Sequence, residues 1–366
     1  MLRRQSYLEN RKVLADSGEI VTDINVRDPI TALWVEIRAS NGGTSNKNSP
    51  MAACIDAIEV IDGSDVLFSL DGYEVFALTA YALGHIPYSL ICEYGNLTQN
   101  LNALIPFGRF IGDTMYALDP TRFANLQVRV KWNLANVNTV GLTGYTTGTA
   151  TLTVVADIME GAPAPIGCLM TKEHYTFTTA ASGVEYVDLP TDFNHRALLI
   201  RCHEAGSGQM SGISNVKVSC DQGKFIPFDM RKNDLHRLMT LRYPPFHYKH
   251  TFYVTTSGTI YPLLKFDEQV CLTGYDADIF ASYLNDGIGE GAVYIYGNGG
   301  VTSGNKQLMA DVQGFCPVGT IWYPWGLLAE PSSWLGATQF RSLRLELTQD
   351  NAGASCFVVV QQDRPY

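Results

Sequence analysis

Charge is scarce in this 366-residue chain, where only 17% of positions are Asp, Glu, Lys or Arg. The surface must then be built from Ser, Thr, Asn and the 33 Gly, which suits a β protein with long loops. Basic charge is short as well: a net −10 offers no clustered Lys and Arg to displace counterions from phosphates, which argues against direct sequence-specific nucleic-acid binding. No CxxC pair occurs among Cys54, Cys92, Cys168, Cys202, Cys220, Cys271, Cys316 and Cys356, and most of them sit among apolar residues. They read as buried free thiols in a reducing compartment, neither a disulfide frame nor a zinc knuckle. The longest nearly apolar run, 75–84, is about half the ~18 residues of a membrane span, and the polar stretch after Leu2 is no secretory signal. A soluble chain made in the cytosol is expected.

What the chain does have is period-two alternation. Leu33, Val35 and Ile37 interleave with Trp34, Glu36 and Arg38; Leu126, Val128 and Val130 with Gln127, Arg129 and Lys131; Leu343, Leu345 and Leu347 with Arg344, Glu346 and Thr348. These are half-buried strands, and the fold class is all-β. The pattern also repeats. IPFGRF at 105–110 and RFANLQVRV at 122–130 return in order as YPWGLL at 323–328 and QFRSLRLEL at 339–347, with a Pro-to-Phe step of 17 residues in one copy and 16 in the other. ALWVEI at 32–37 is answered by ALLIRC at 197–202, and IDAIEV at 55–60 by ISNVKV at 213–218. Two tandem β-sandwiches follow, an organisation suited to tiling rather than catalysis.

Each copy also carries a short helix. Asp71 with Glu74 forms a capping box, Val75, Leu78 and Ala82 share a helical face, and Gly84 stops it. In the second copy Phe228 and Asp229 open an amphipathic stretch with Leu235, Leu238 and Met239 on one side. GAPAP at 161–165 is the linker between a first unit, 23–160, and a second, 166–366. About 60 extra residues follow the second helix, so a long insertion at about 243–320 is expected to carry strands of its own and to project. Residues 1–22 form an N-terminal arm. Its first 12 residues set Arg3, Arg4, Arg11 and Lys12 against Glu9 alone, +3 against −13 for the remainder, so the arm suits an anionic neighbour.

IDAIEVIDGSDVLFSLDGYEV at 55–75, IPFGRFIGDTMYALDPTRFANLQVRV at 105–130 and QFRSLRLEL together resemble the double jelly-roll major capsid proteins of tailless icosahedral viruses with an internal membrane. The likeness spans roughly 23–366. It implies two Greek-key jelly rolls of about eight strands each, three chains joined as a pseudo-hexagonal homotrimer, and trimers joined as a lattice. It further implies penton and minor capsid proteins as partners, an insertion that forms an outward tower, a location in the virion after synthesis in the host cytoplasm, and no cofactor. The arm would face the interior, with Arg3, Arg4, Arg11 and Lys12 near lipid headgroups and Tyr7 and Leu8 as apolar contacts.

Chemistry is sparse beside this. His247 and His250 fall in a strand or loop and lack the third ligand that zinc requires. Asp276, Asp278, Asp286 and Glu290 read as an acidic Gly-rich loop, which lacks the alternating oxygen ligands of an EF-hand. GNGG at 297–300 opens no helix, so it is no phosphate cradle. Trp322, Tyr323, Trp325 and Trp334 read as core or interface packing. Two rivals to a capsid tile stay open: a carbohydrate-active enzyme using carboxylates of 267–290, and a carbohydrate-binding spike using the insertion and the tryptophans.

Overall fold

Alternation becomes strand throughout. The computed structural model describes residues 2–42, 51–87, 98–137, 144–203, 210–254 and 306–366, with five short strands between 258 and 297. In the first lobe these are β1 (Leu2–Val13), β2 (Ser17–Asp23), β3 (Ile30–Ser40), β4 (Ile55–Asp62), β5 (Asp65–Leu70), helix α1 (Gly72–Leu83), β6 (Thr98–Pro106), β7 (Leu126–Asn133) and β8 (Thr151–Glu160). They pair in the orders β1-β8-β3-β6 and β2-β7-β4-β5. Along β7, Leu126, Val128, Val130 and Trp132 are buried while the residues between them are half-buried. They meet Leu33, Val35 and Ile37 of β3 in one core, as two facing sheets with period-two side chains require.

The second lobe repeats the plan with β9 (Gly167–Thr178), β10 (Gly183–Leu189), β11 (Asn194–His203), β12 (Ile213–Cys220), β13 (Phe225–Arg231) and helix α2 (Lys232–Arg242). An insertion follows: β14 (Phe246–Val254), β15 (Gly258–Ile260), β16 (Asp267–Thr273), β17 (Ile279–Ala281), β18 (Tyr283–Leu284), β19 (Val293–Gly297) and β20 (Lys306–Phe315). β21 (Thr320–Pro324), β22 (Leu343–Gln349) and β23 (Ser355–Pro365) close the lobe. Its orders are β9-β23-β11-β21 and β10-β22-β12-β13. Reading β9 to β13 and β21 to β23 in place of β1 to β8 converts one lobe's pairing into the other's, so each lobe is an eight-stranded jelly roll. The insertion pairs within itself, as β14-β20-β16-β18 and β15-β19-β17.

The lobes share a sheet. β5 runs parallel to β9, with Phe68 opposite Thr171 and Ser69 opposite Lys172. This joins β2-β7-β4-β5 to β9-β23-β11-β21 as one eight-stranded sheet.

Both repeat motifs sit at one structural position. β6 ends at Pro106, opposite Ala32 of β3, and β21 ends at Pro324, opposite Ala197 of β11. Each Pro thus closes a sheet-edge strand, where its missing N–H leaves no ladder bond unmade. The following glycines are held by close approach. A Cβ on Gly108 would lie 2.6 Å from the Tyr116 carbonyl oxygen, and one on Gly326, at φ +63°, 2.3 Å from that of Ser333.

Helix α1 is capped as its sequence dictates. Asp71 Oδ1 accepts from the Glu74 amide at 2.7 Å, Glu74 Oε2 accepts from the Asp71 amide at 3.1 Å, and Gly84 ends the helix at φ 72°. α2 begins later than expected, at Lys232. Phe228 and Asp229 belong to β13, because Phe228 pairs opposite Val218 and packs on Tyr323 and Trp325. Leu235 and Met239 are buried, but Leu238 is exposed.

The arm expected over 1–22 is corrected: it is two strands of the first lobe. β1 pairs with β8 from Leu2 opposite Glu160 to Val13 opposite Thr151, and β2 pairs with β7 from Ser17 opposite Asn133 to Asp23 opposite Gln127. A buried carboxylate anchors the start of β1. Asp157 is fully buried, and Arg3 Nη2 reaches it at 2.6 Å, so the basic start of the chain satisfies a charge inside its own sheet. Six cysteines, Cys54, Cys168, Cys202, Cys220, Cys316 and Cys356, are buried free thiols. Cys92 and the Cys271 side chain lie outside the described residues.

Candidate functional site: the seam and the outer strand

The seam between the lobes is held by charge, hydroxyls and aromatic rings. Arg201 of β11 donates from Nη2 to Asp71 Oδ2 at 2.7 Å, and its guanidinium lies 5.2 Å from the Tyr73 ring and 4.2 Å from the Phe357 ring. Glu74, wholly buried beside this pair, has its carboxyl pushed well above the usual range, first by burial and then by the Asp71 charge. Arg364 of β23 pairs with Asp65 of β5 at 2.5 Å. The Tyr366 hydroxyl accepts from the Asp119 amide at 2.7 Å and donates to the Ala117 carbonyl at 2.9 Å. Tyr81 of α1 donates its hydroxyl to the Thr320 carbonyl at 2.8 Å, while its ring meets Tyr243, Phe246 and Trp322 at centroid distances of 5.0, 5.5 and 6.0 Å. The first lobe's core therefore runs on into Ala197, Leu199, Trp322 and Val359 of the second. The lobes are thus joined by a shared sheet, by ion pairs and by second-lobe residues that pack in the first lobe's core.

The six residues expected in the arm lie along β1. Arg3 faces Asp157, and Arg4 Nε is 3.4 Å from Glu160 in an exposed pair. Leu8 is half-buried against the first core. Tyr7 is 63% exposed, and Arg11 and Lys12 are exposed. Tyr7, Arg11 and Lys12 thus remain available to a neighbour, whereas Arg3 is committed and Leu8 is largely so. β1 is also a sheet edge, and such charges on an edge strand discourage unplanned pairing.

No protein-family model and no curated protein matches the chain. Solved structures do. The major capsid protein of the Sulfolobus Turreted Icosahedral Virus superposes with a TM-score of 0.58 at 12% identity, covering 100% of this chain and 98% of its own. The major capsid protein P2 of bacteriophage PM2 gives 0.54 at 11%, covering 99% and 98%, and the PBCV-1 virus capsid gives 0.59 at 10%, covering 99% and 93%. The fold is the double jelly roll of viral major capsid proteins.

In this double jelly roll the four aromatic residues 322, 323, 325 and 334 do not form one platform. Trp322 packs in the first core, Trp325 in the second with Tyr323 4.9 Å away, and Trp334 in a small cluster with Tyr116 and Leu169. All three tryptophans are more than nine-tenths buried and lie in different clusters, so they form no shared sugar-stacking platform. His247 is exposed on β14, while the side chains of His250, Asp276, Asp278, Asp286 and Glu290, and residues 298–300, lie outside the described residues. Among the described residues no group of three His, Cys, Asp or Glu is placed to hold a metal, and no helix is long and apolar enough to cross a membrane.

Sequence reasoning found Asp71 as a helix cap but missed its second task as the partner of Arg201. Nothing local marks Arg201, which reads as an outward residue of an alternating strand. Only the juxtaposition of the two repeats turns that face into an interior.

Proposed function

We propose that this chain is a structural virion protein, a major capsid protein that self-assembles as pseudo-hexagonal homotrimers and then as an icosahedral lattice. The observation that carries this reading is the whole-chain superposition of two eight-stranded jelly rolls on viral major capsid proteins. The physical logic agrees. Two equivalent lobes on each of three chains supply six similar corners, and a closed three-fold interface needs no cofactor. Contacts between trimers can each be small because they are many. The strands of the insertion are the candidate outward tower, 161–165 the candidate linker, and penton and minor capsid proteins the remaining partners. On β1, exposed Leu2, Tyr7 and Val13 beside Arg4, Arg11 and Lys12 would suit an anionic lipid surface beneath the shell. The reading makes the chain a tile and not an enzyme.

Negative-stain imaging of the purified protein over a salt series tests this. Pseudo-hexagonal particles that form sheets or shells as salt screens the net −10 per chain support it. Isolated two-lobed monomers at every salt concentration would sink it.

A further inference from the structure

A cleft of about 380 Å³ opens where the two lobes meet, large enough for a small organic ligand. Leu78 and Tyr81 of α1 form one wall, Trp322 and Tyr243 another, and Leu169 of β9 also lines it. Three arginines face it, Arg109, Arg196 and Arg242, and no Asp or Glu does among the described residues.

The arginines are not equivalent. Arg109 is neutralised by Asp113, which takes Nε at 2.7 Å and Nη2 at 2.9 Å. Arg242 stands at the rim and gives Nη1 to the Pro324 carbonyl at 3.0 Å. Arg196 is the anomaly. It is 93% buried, its guanidinium lies 5.0 Å from the Trp322 ring, and its buried Nε and Nη1 have no hydrogen-bond partner among the described residues. Loss of hydration pulls its pKa down to about 10, so it is still a cation at neutral pH. A buried cation with unfilled donors and no counter-ion among the described residues is costly to keep, and stacking on one indole offsets only part of that cost. Nε and Nη1 lie on different edges of the guanidinium, so a carboxylate in the cleft would fill one of them together with Nη2 in a planar two-donor fork, and so would offset part of that cost.

We propose that the inter-lobe cleft is a binding site for a carboxylate borne on an apolar chain, with Arg196 as the buried anchor and Arg242 as the rim contact. The apolar walls set the class: Tyr81, Trp322, Leu78 and Leu169 would cover an alkyl or aryl body that inorganic anions lack. The ligand would touch α1 of one lobe and Arg196 of β11 in the other, and so would brace the seam in addition to the Arg201–Asp71 contact.

Decanoate is the probe, titrated into the full-length protein and followed by calorimetry and by tryptophan fluorescence. Saturable binding is expected below about 1 mM, with inorganic phosphate and neutral decanol each at least about tenfold weaker. Arg242→Gln should weaken decanoate several-fold, and Arg196→Met should abolish its binding. Arg196→Met also reports on folding. Because it replaces an uncompensated buried charge by an apolar side chain of similar length, its ligand-free unfolding temperature should equal or exceed that of the parent protein. No saturation by decanoate up to about 10 mM would overturn the site. So would undiminished binding in a folded Arg196→Met. Phosphate binding as tightly as decanoate would overturn the apolar half of the assignment, and decanol doing so would overturn the role of Arg196. A large loss of ligand-free stability in Arg196→Met would mark Arg196 as a structural residue and overturn the proposal as well.

Discussion

Arg201 reaches Asp71 across the seam at 2.7 Å, so the residue that caps α1 in the first lobe also neutralises a buried guanidinium of the second. The start of α1 and the docking of the two lobes therefore depend on one carboxylate. Asp71→Ala removes the cap and strands Arg201, and should cost about 3–5 kcal/mol. Asp71→Asn keeps an N-cap acceptor and removes only the charge, and should cost less. Urea unfolding of both variants checks the order; equal losses would mean that the cap contributes nothing beyond the ion pair.

Gly326 and Gly63 have nearly the same backbone, φ +63° and +61°, but different surroundings. A Cβ on Gly63 would meet nothing within 4 Å, whereas one on Gly326 would strike Ser333. Gly63→Ala should cost about 1 kcal/mol from the left-handed backbone alone, and Gly326→Ala distinctly more. Thermal unfolding of the pair separates conformational strain from collision.

Arg3 carries the same logic at the other end of the molecule. Asp157 also accepts from Thr31 Oγ1 at 3.2 Å, so Arg3→Ala leaves it partly satisfied and should cost about 1–3 kcal/mol. The damage should be local. Hydrogen exchange should quicken across 2–13 and stay unchanged in β4 and β7; a global rise would show that β1 is integral to the first lobe's cooperative unit.

His195 gives the pH dependence. Burial holds its pKa down to about 4, with Nε2 2.7 Å from the Pro190 carbonyl, so the folded protein keeps it neutral where the unfolded chain takes up a proton. Its contribution is complete above about 6.5 and is lost as pH falls towards 4, on the order of 3 kcal/mol in all. His195→Gln should flatten that part of the stability profile. An unchanged slope would assign the acid loss to carboxylates.

Much of this fold could be read in advance because its repeat is written into local chemistry. Pro106 and Pro324 end edge strands, Ala32 and Ala197 lie opposite them, and Leu126 and Leu343 start equivalent inward rows. The first twelve residues misled because β1 shows no apolar alternation. Most of its side chains face solvent, and what fixes it is Asp157, some 150 residues away. The start of α2 reads early because Phe228 and Asp229 stand where Leu70 and Asp71 stand in the first copy, but Phe228 serves a sheet whose partners, Tyr323 and Trp325, lie across the insertion. Arg196 left no trace either, since an arginine beside a strand start is ordinary until burial takes away its partners.

Paired jelly rolls that make up one third of a tile must trimerise, and the mass of the purified protein in solution tests this most directly. Sedimentation equilibrium should find a stable species of three 40.3 kDa chains across moderate salt. A monomer that never trimerises at any salt concentration would contradict it.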